Sequence, residues 1–135
     1  MTGDRVLHSD AWGEVIDRPA AQILEIRWFD ETRHMSREGF NQWLTRFAAE
    51  VEATRRPRVL VDTAHFGLPA ERMDGAWRDL HIVPRYNAAG VERFAFLVPP
   101  HAPPVGAPPV RQGPAEYLTA YFGARGEALA WLAGG

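Results

Sequence analysis

The 135-residue sequence contains no cysteine and no lysine, and it has only two serines, Ser9 and Ser36. Without cysteine there are no disulfides, no thiolate nucleophile and no common structural zinc site. Without lysine there is no Schiff-base chemistry and no phosphate-binding P-loop. Ser36 is placed to cap a helix, so no Gly-x-Ser-x-Gly nucleophile elbow remains. No stretch approaches the roughly 20 apolar residues of a membrane span, and Met1-Thr2-Gly3-Asp4-Arg5 lacks the apolar core of a signal peptide, so a cytoplasmic location is expected. The net charge of −2 supplies no basic field for nucleic acid. His-Glu-x-x-His, glycine-rich dinucleotide fingerprints and calcium loops are absent as well, and no metal or cofactor is expected.

The length fits one domain over residues 1–135, and hydrophobic periodicity divides it into alternating strands and helices. Val6-Leu7 and Glu14 to Asp17 are short extended pieces. Gln22 to Phe29 alternates, with Leu24, Ile26 and Trp28 on one face and Ile23, Glu25 and Arg27 on a wetter one. Ser36 opens a helix that buries Phe40, Trp43, Leu44, Phe47, Ala48 and Val51 and stops before Pro57. Arg58-Val59-Leu60-Val61-Asp62 has the uniformly apolar character of a central strand covered on both faces. Pro69 suits the first turn of a second helix with Met73, Ala76, Trp77 and Leu80 as its apolar stripe, and Pro84 interrupts it. Gly90 is a left-handed cap before the strand Arg93 to Val98. Residues 99–114, dominated by proline, glycine and alanine, form a loop or flap. Ala115 to Phe122 fits either helix or strand, and Gly126 to Ala133 is a terminal helix burying Leu129 and Leu132.

Chemistry-bearing residues concentrate after the central strand. Asp62, Thr63 and His65 stand at its carboxyl end, where open α/β sheets bind ligands, and Arg78, His81, Arg85 and Tyr86 follow within two helical segments. Asp62 and His65, with His81, have the residue types of an acid–base site, the carboxylate fixing an imidazole tautomer. Asp62 is equally suited to capping the next turn through backbone donors. Arg78 and Arg85 are able to clamp an anion, although Asp74, four residues before Arg78, offers a plain helix-surface pair. Trp12, Trp28 and Phe66 are either core or the apolar lining of a small-molecule pocket beneath the 99–114 flap.

The run Val59-Leu60-Val61-Asp62, Trp77, Ala89-Gly90-Val91-Glu92-Arg93-Phe94-Ala95-Phe96 and Glu127-Ala128-Leu129-Ala130-Trp131-Leu132 resembles the SpoIIAA-like group of bacterial proteins. That group is similar to the STAS fold of anti-sigma factor antagonists and is sometimes likened to CRAL-TRIO domains. The resemblance implies an α/β fold with a mixed sheet of four to five strands and helices packed mainly on one face. It also implies a regulatory or interaction role. The family's switch serine has no counterpart in Phe66-Gly67-Leu68-Pro69-Ala70, where Thr63 is the nearest hydroxyl. Three functional expectations follow: a non-enzymatic module that binds a protein partner or a second copy of itself, a binder of a small apolar or amphipathic ligand, and an acid–base enzyme built on Asp62 and His65.

Overall fold

The computed structural model describes residues 3–134. Asp10 starts the fold by organising a tight turn. Its carboxylate accepts from the N–H groups of Trp12 at 2.8 Å and Gly13 at 3.1 Å, the local bond that makes aspartate a turn former. Strand β1 (Arg5–Ser9) therefore folds back on β2 (Gly13–Arg18) as an antiparallel pair. Gly13 is required here, because a Cβ would lie 2.7 Å from the carbonyl oxygen of Arg27 on the next strand. A second turn over Pro19–Ala21 ends with Gln22 in the left-handed region and delivers β3 (Ile23–Trp28), antiparallel to β2.

From β3 onward the sheet is parallel. Ser36 caps helix α1 (Arg37–Thr54) by accepting from the Gly39 N–H at 2.9 Å, and Arg55 ends it in the left-handed conformation two residues before Pro57. Strand β4 (Arg58–Asp62) pairs with β3, helices α2 (Gly75–His81) and α3 (Val83–Ala89) lead to β5 (Arg93–Leu97), and β6 (Leu118–Phe122) precedes helix α4 (Arg125–Leu132). The sheet order is β1-β2-β3-β4-β5-β6. Gly90, with φ of 92°, closes α3 as expected.

The α/β class matches the sequence, but the sheet has six strands rather than four to five. The Asp10 turn converts two short extended pieces into a hairpin. Leu118–Phe122 resolves as strand because pairing with β5 gives its backbone a ladder and buries Thr119 and Ala120. The second helix also departs from expectation. Pro69 precedes a single 3-10 turn, and α2 begins later, where the Asp74 carboxylate accepts from the Trp77 N–H at 3.0 Å. Leu80 consequently faces solvent at 70% exposure and leaves the apolar stripe.

Helices α1, α2 and α3 cover one face of the sheet around Val15, Leu24, Ile26, Val59, Val61 and Phe94. Helix α4 covers the other over β4 to β6, burying Ala128 and Leu132 against Leu60 and Ala95. The 99–114 segment runs along the open edge of β6. Val110 and Thr119 exchange backbone hydrogen bonds at 3.0 and 2.7 Å, and Asn87 donates to the Pro114 carbonyl and accepts from the Glu116 N–H. A proline-rich strap gives the exposed edge few donors to offer another strand.

Over β2 and β3 the second face carries charge instead of a helix. Glu25, expected on a wet face, is 0% exposed. One carboxylate oxygen accepts from Arg18 Nε at 2.7 Å and Arg125 Nη2 at 2.6 Å, while the other has only Arg27, at 3.6 Å. Burial raises the Glu25 carboxyl, but the arginine hydrogen bonds and charges outweigh it and hold the group below its ordinary value of 4.5. A carboxylate depressed on folding stabilises the native state above its unfolded pKa and loses that contribution as pH falls toward the native one. Urea unfolding should therefore show stability declining with acidification below about pH 4.5, with a smaller decline in Glu25→Gln. Glu25→Ala should cost about 3 kcal/mol, because two arginines lose their shared partner. A change below about 0.5 kcal/mol, the level of an ordinary surface substitution, would contradict this role.

Candidate functional site

The parallel strands β3, β4 and β5 present Ile26, Trp28, Val61, Phe94 and Phe96 toward α1 and α2. Helix α1 answers with Phe40 and Leu44. The layers do not close completely, and a cavity of about 360 Å³ remains, completed by Thr63, Phe66, Met73, Arg78, Tyr86 and Tyr121. Aromatic rings form most of its wall. Trp28 lies 5.5 Å from Phe40 and 5.3 Å from Phe66 between ring centroids, and Phe96 stacks on Tyr121 at 5.2 Å. These are ordinary packing distances, so the rings are fixed against one another and the space between the layers is bounded by ordered side chains. Tyr86 is fully buried at one side, whereas Met73 is 44% exposed and Phe66, Phe96 and Tyr121 are half-buried at the carboxyl ends of the strands.

The reason for the gap lies in α2. This helix is seven residues long, buries none of them fully and is tied down through Trp77, which packs against the core. Its neighbour α3 inserts Val83, Tyr86 and Ala89, of which only Tyr86 reaches the cavity wall. The chain between β4 and α2 is tied to Thr32, whose hydroxyl accepts from the Gly67 N–H at 2.8 Å.

Four polar side chains reach the cavity wall. The Thr63 hydroxyl donates to the Leu97 carbonyl at 2.7 Å, and the Tyr121 hydroxyl exchanges hydrogen bonds with the Gln112 amide, at 3.1 Å from its nitrogen. Burial pushes the Tyr86 hydroxyl far above its ordinary value, with the nearby Arg78 charge acting against the rise, so Tyr86 stays neutral. Arg78 projects over the Phe94 ring with its guanidinium carbon 5.6 Å from the centroid. Among the described residues it is the one charged group lining the cavity.

Of the residues selected from the sequence, Trp28, Thr63, Phe66, Arg78 and Tyr86 come together in this wall. The others lie elsewhere. Trp12 packs against the same core without reaching the cavity. Arg85 is committed to Glu52 through two hydrogen bonds, at 3.0 and 2.5 Å. His81 is exposed and stands against Trp77 at 5.4 Å.

Asp62 and His65 diverge. Asp62 points to the α4 face, accepting from the Ala64 N–H at 3.0 Å and facing Arg125 at 3.7 Å. His65, 66% exposed, faces Asp30 at 3.3 Å. The carboxylate thus makes the turn-capping bond, and the imidazole has a different acid beside it. None of Asp62, His65 and His81 lines the cavity. The pocket is also placed differently from the one anticipated beneath the 99–114 segment. No residue of that segment lines it, because the strap is drawn along the β6 edge by Val110; the segment borders a separate hollow of about 250 Å³ with Tyr121, Phe122 and Trp131, and Gln112 hydrogen-bonds to Tyr121.

Phe40, Leu44, Val61, Met73, Phe94, Phe96 and Tyr121 were not selected from the sequence. Their periodicity marks them as core, and it is the same for a side chain that meets another layer and for one that meets a gap. Since Asp62 keeps its backbone bond as asparagine and His65 is largely solvated, Asp62→Asn and His65→Ala should each change unfolding free energy by less than about 1 kcal/mol. Urea titration measures this. A loss above about 2 kcal/mol for His65→Ala would show that its contact with Asp30 carries far more than an exposed pair normally does.

No family model, curated protein or solved structure matches this chain.

Proposed function

We propose that this chain is a small-molecule-binding domain whose apolar or amphipathic ligand occupies the space between α1, α2 and the sheet. The observation that carries the reading is the cavity itself: about 360 Å³, walled by Trp28, Phe40, Leu44, Phe66, Phe94 and Phe96. Its size falls at the lower end of ordinary ligand sites, and its make-up follows their pattern of apolar walls with a few polar groups. Apolar space of this kind costs stability in lost dispersion contacts. A ligand would restore them.

1-Decanol tests the reading, since it has an apolar body and no charge. It should bind with one-to-one stoichiometry in calorimetry and raise the melting temperature, because a molecule that binds only the native state stabilises it by mass action. Leu44→Trp, which places a larger side chain in the cavity, should abolish both effects while keeping the native circular dichroism. Undiminished binding by the Leu44→Trp protein would rule the cavity out as the binding place.

The interaction module implied by the SpoIIAA-like resemblance is a second reading, and it has one observation in its favour. Helix α2 buries no residue fully and displays Leu80 at 70% and, just before it, Met73 at 44% exposure. Exposed apolar side chains on a short helix beside a strand-end loop suit a partner or a second copy. On this reading, light scattering should detect self-association, or affinity capture a defined partner, and Leu80→Glu should remove it with little change in stability. A wild-type protein that stays monomeric and retains no partner would remove the support.

A further inference from the structure

We infer that the cavity takes an organic monocarboxylate, with Arg78 gripping the carboxylate head and the aromatic wall holding the apolar body. This rests on the ligand-binding reading above and narrows it to one chemical class.

The starting point is how the arginines are used. Arg5, Arg18, Arg27, Arg56, Arg85 and Arg125 each lie within 4.0 Å of a carboxylate. Arg78 has no such partner among the described residues. Asp74, which helix spacing offered to it, is engaged instead at the N-terminus of α2, where it accepts from the Trp77 N–H. Arg85, the other candidate anion clamp, is fully engaged by Glu52. Other arginines lack a carboxylate partner as well, but among the described residues Arg78 is the one of them that lines the cavity.

Its surroundings make that lack matter. Arg78 is half-buried, lies over Phe94, hydrogen-bonds to the Tyr117 hydroxyl and is close enough to the buried Tyr86 hydroxyl for its charge to act on it. A ring face and one neutral hydroxyl offer a guanidinium only partial compensation, with no opposite charge. Charge drawn into apolar surroundings is otherwise costly without a partner. Among the described residues no acid lines the cavity, so a negative charge set against Arg78 inside it comes with the ligand. The planar guanidinium fork matches a carboxylate in a bidentate pair. One cation balances one charge, which favours a monocarboxylate over a phosphate monoester. Trp28, Phe66 and Phe96 then accept the hydrocarbon or ring portion.

Decanoate and 1-decanol, equal in chain length and different in head-group charge, separate this inference from the reading beneath it. In calorimetry at neutral pH the wild-type protein should bind decanoate about ten- to a hundred-fold more tightly than decanol, as expected for a charge-assisted pair. Arg78→Met should abolish that preference, so that decanoate binds no more tightly than decanol. Arg78→Lys, which keeps the charge but loses the fork, should retain part of it and serves as the test if the methionine variant does not fold. Equal affinity for the two probes in wild type, or a preference that survives Arg78→Met, overturns the carboxylate inference. Decanol binding that Leu44→Trp blocks would leave the ligand-binding reading standing in that case. Failure of the wild-type protein to bind either probe overturns both.

Discussion

A buried carboxylate on the central strand β3 holds together parts of the chain that have no other reason to meet. Glu25 takes Arg18 from the end of β2 and Arg125 from the first turn of α4, a hundred residues later in sequence. Arg125 also faces Asp62 at the end of β4, so the clamp spans the neighbouring parallel strand. The face of the sheet that α4 leaves bare over β2 and β3 is thereby closed by arginine stems around one acid. Buried ion pairs are weak evidence of stability in themselves, because desolvation cancels much of their attraction. Their effect here is directional: an unpaired Glu25 inside the fold would be costly, so registers of β2 and placements of α4 that leave it unpaired are disfavoured. Asp17 on the opposite face, also fully buried, joins β2 to the end of α1 through Arg56 in the same way.

With α4 and the arginines closing one face, the other must accommodate two crossovers of unequal bulk. Helix α1 has eighteen residues and buries six of them. The crossover from β4 to β5 spends much of its length on a loop and a 3-10 turn before a helix of only seven residues. The cavity is the geometric remainder of that imbalance, at the carboxyl ends of the parallel strands where open α/β sheets characteristically hold ligands. Its wall is knit by ring-on-ring contacts. Its one charge, Arg78, sits at the helix that covers it least completely.

The strands and long helix were legible because their patterns are local. Ser36 as a cap, the apolar face of α1, the uniform run Val59 to Val61 and the left-handed Gly90 each follow from one or two neighbouring residues. Leu118–Phe122 was not, since its sequence fits helix or strand and pairing with β5 decided it. Nor was the exposure of Leu80, which depends on α2 starting at Asp74 instead of Pro69. Seven residues from Asp62 to Tyr86 were visible as an unusual cluster, of which Thr63, Arg78 and Tyr86 reach the site, yet the two most reactive types among them, Asp62 and His65, project to different sides. Strand alternation sends Asp62 to the α4 face, and the turn after it sends His65 toward Asp30.

The sequence alone determined the chemistry that the chain lacks: no thiol, no lysine amine and no serine elbow can be supplied by folding. It also determined the α/β alternation, because hydrophobic period is a property of consecutive residues. Tertiary structure decided the rest. It turned Glu25 from a wet-face residue into a buried clamp, gave Arg85 a partner and left Arg78 without one, and left space beside Trp28 and Phe66 where periodicity predicts solid core. The reason is common to all of these. Burial, counter-charge and empty volume depend on which surfaces from distant parts of the chain come together, and a one-dimensional pattern records only which residues seek an interior.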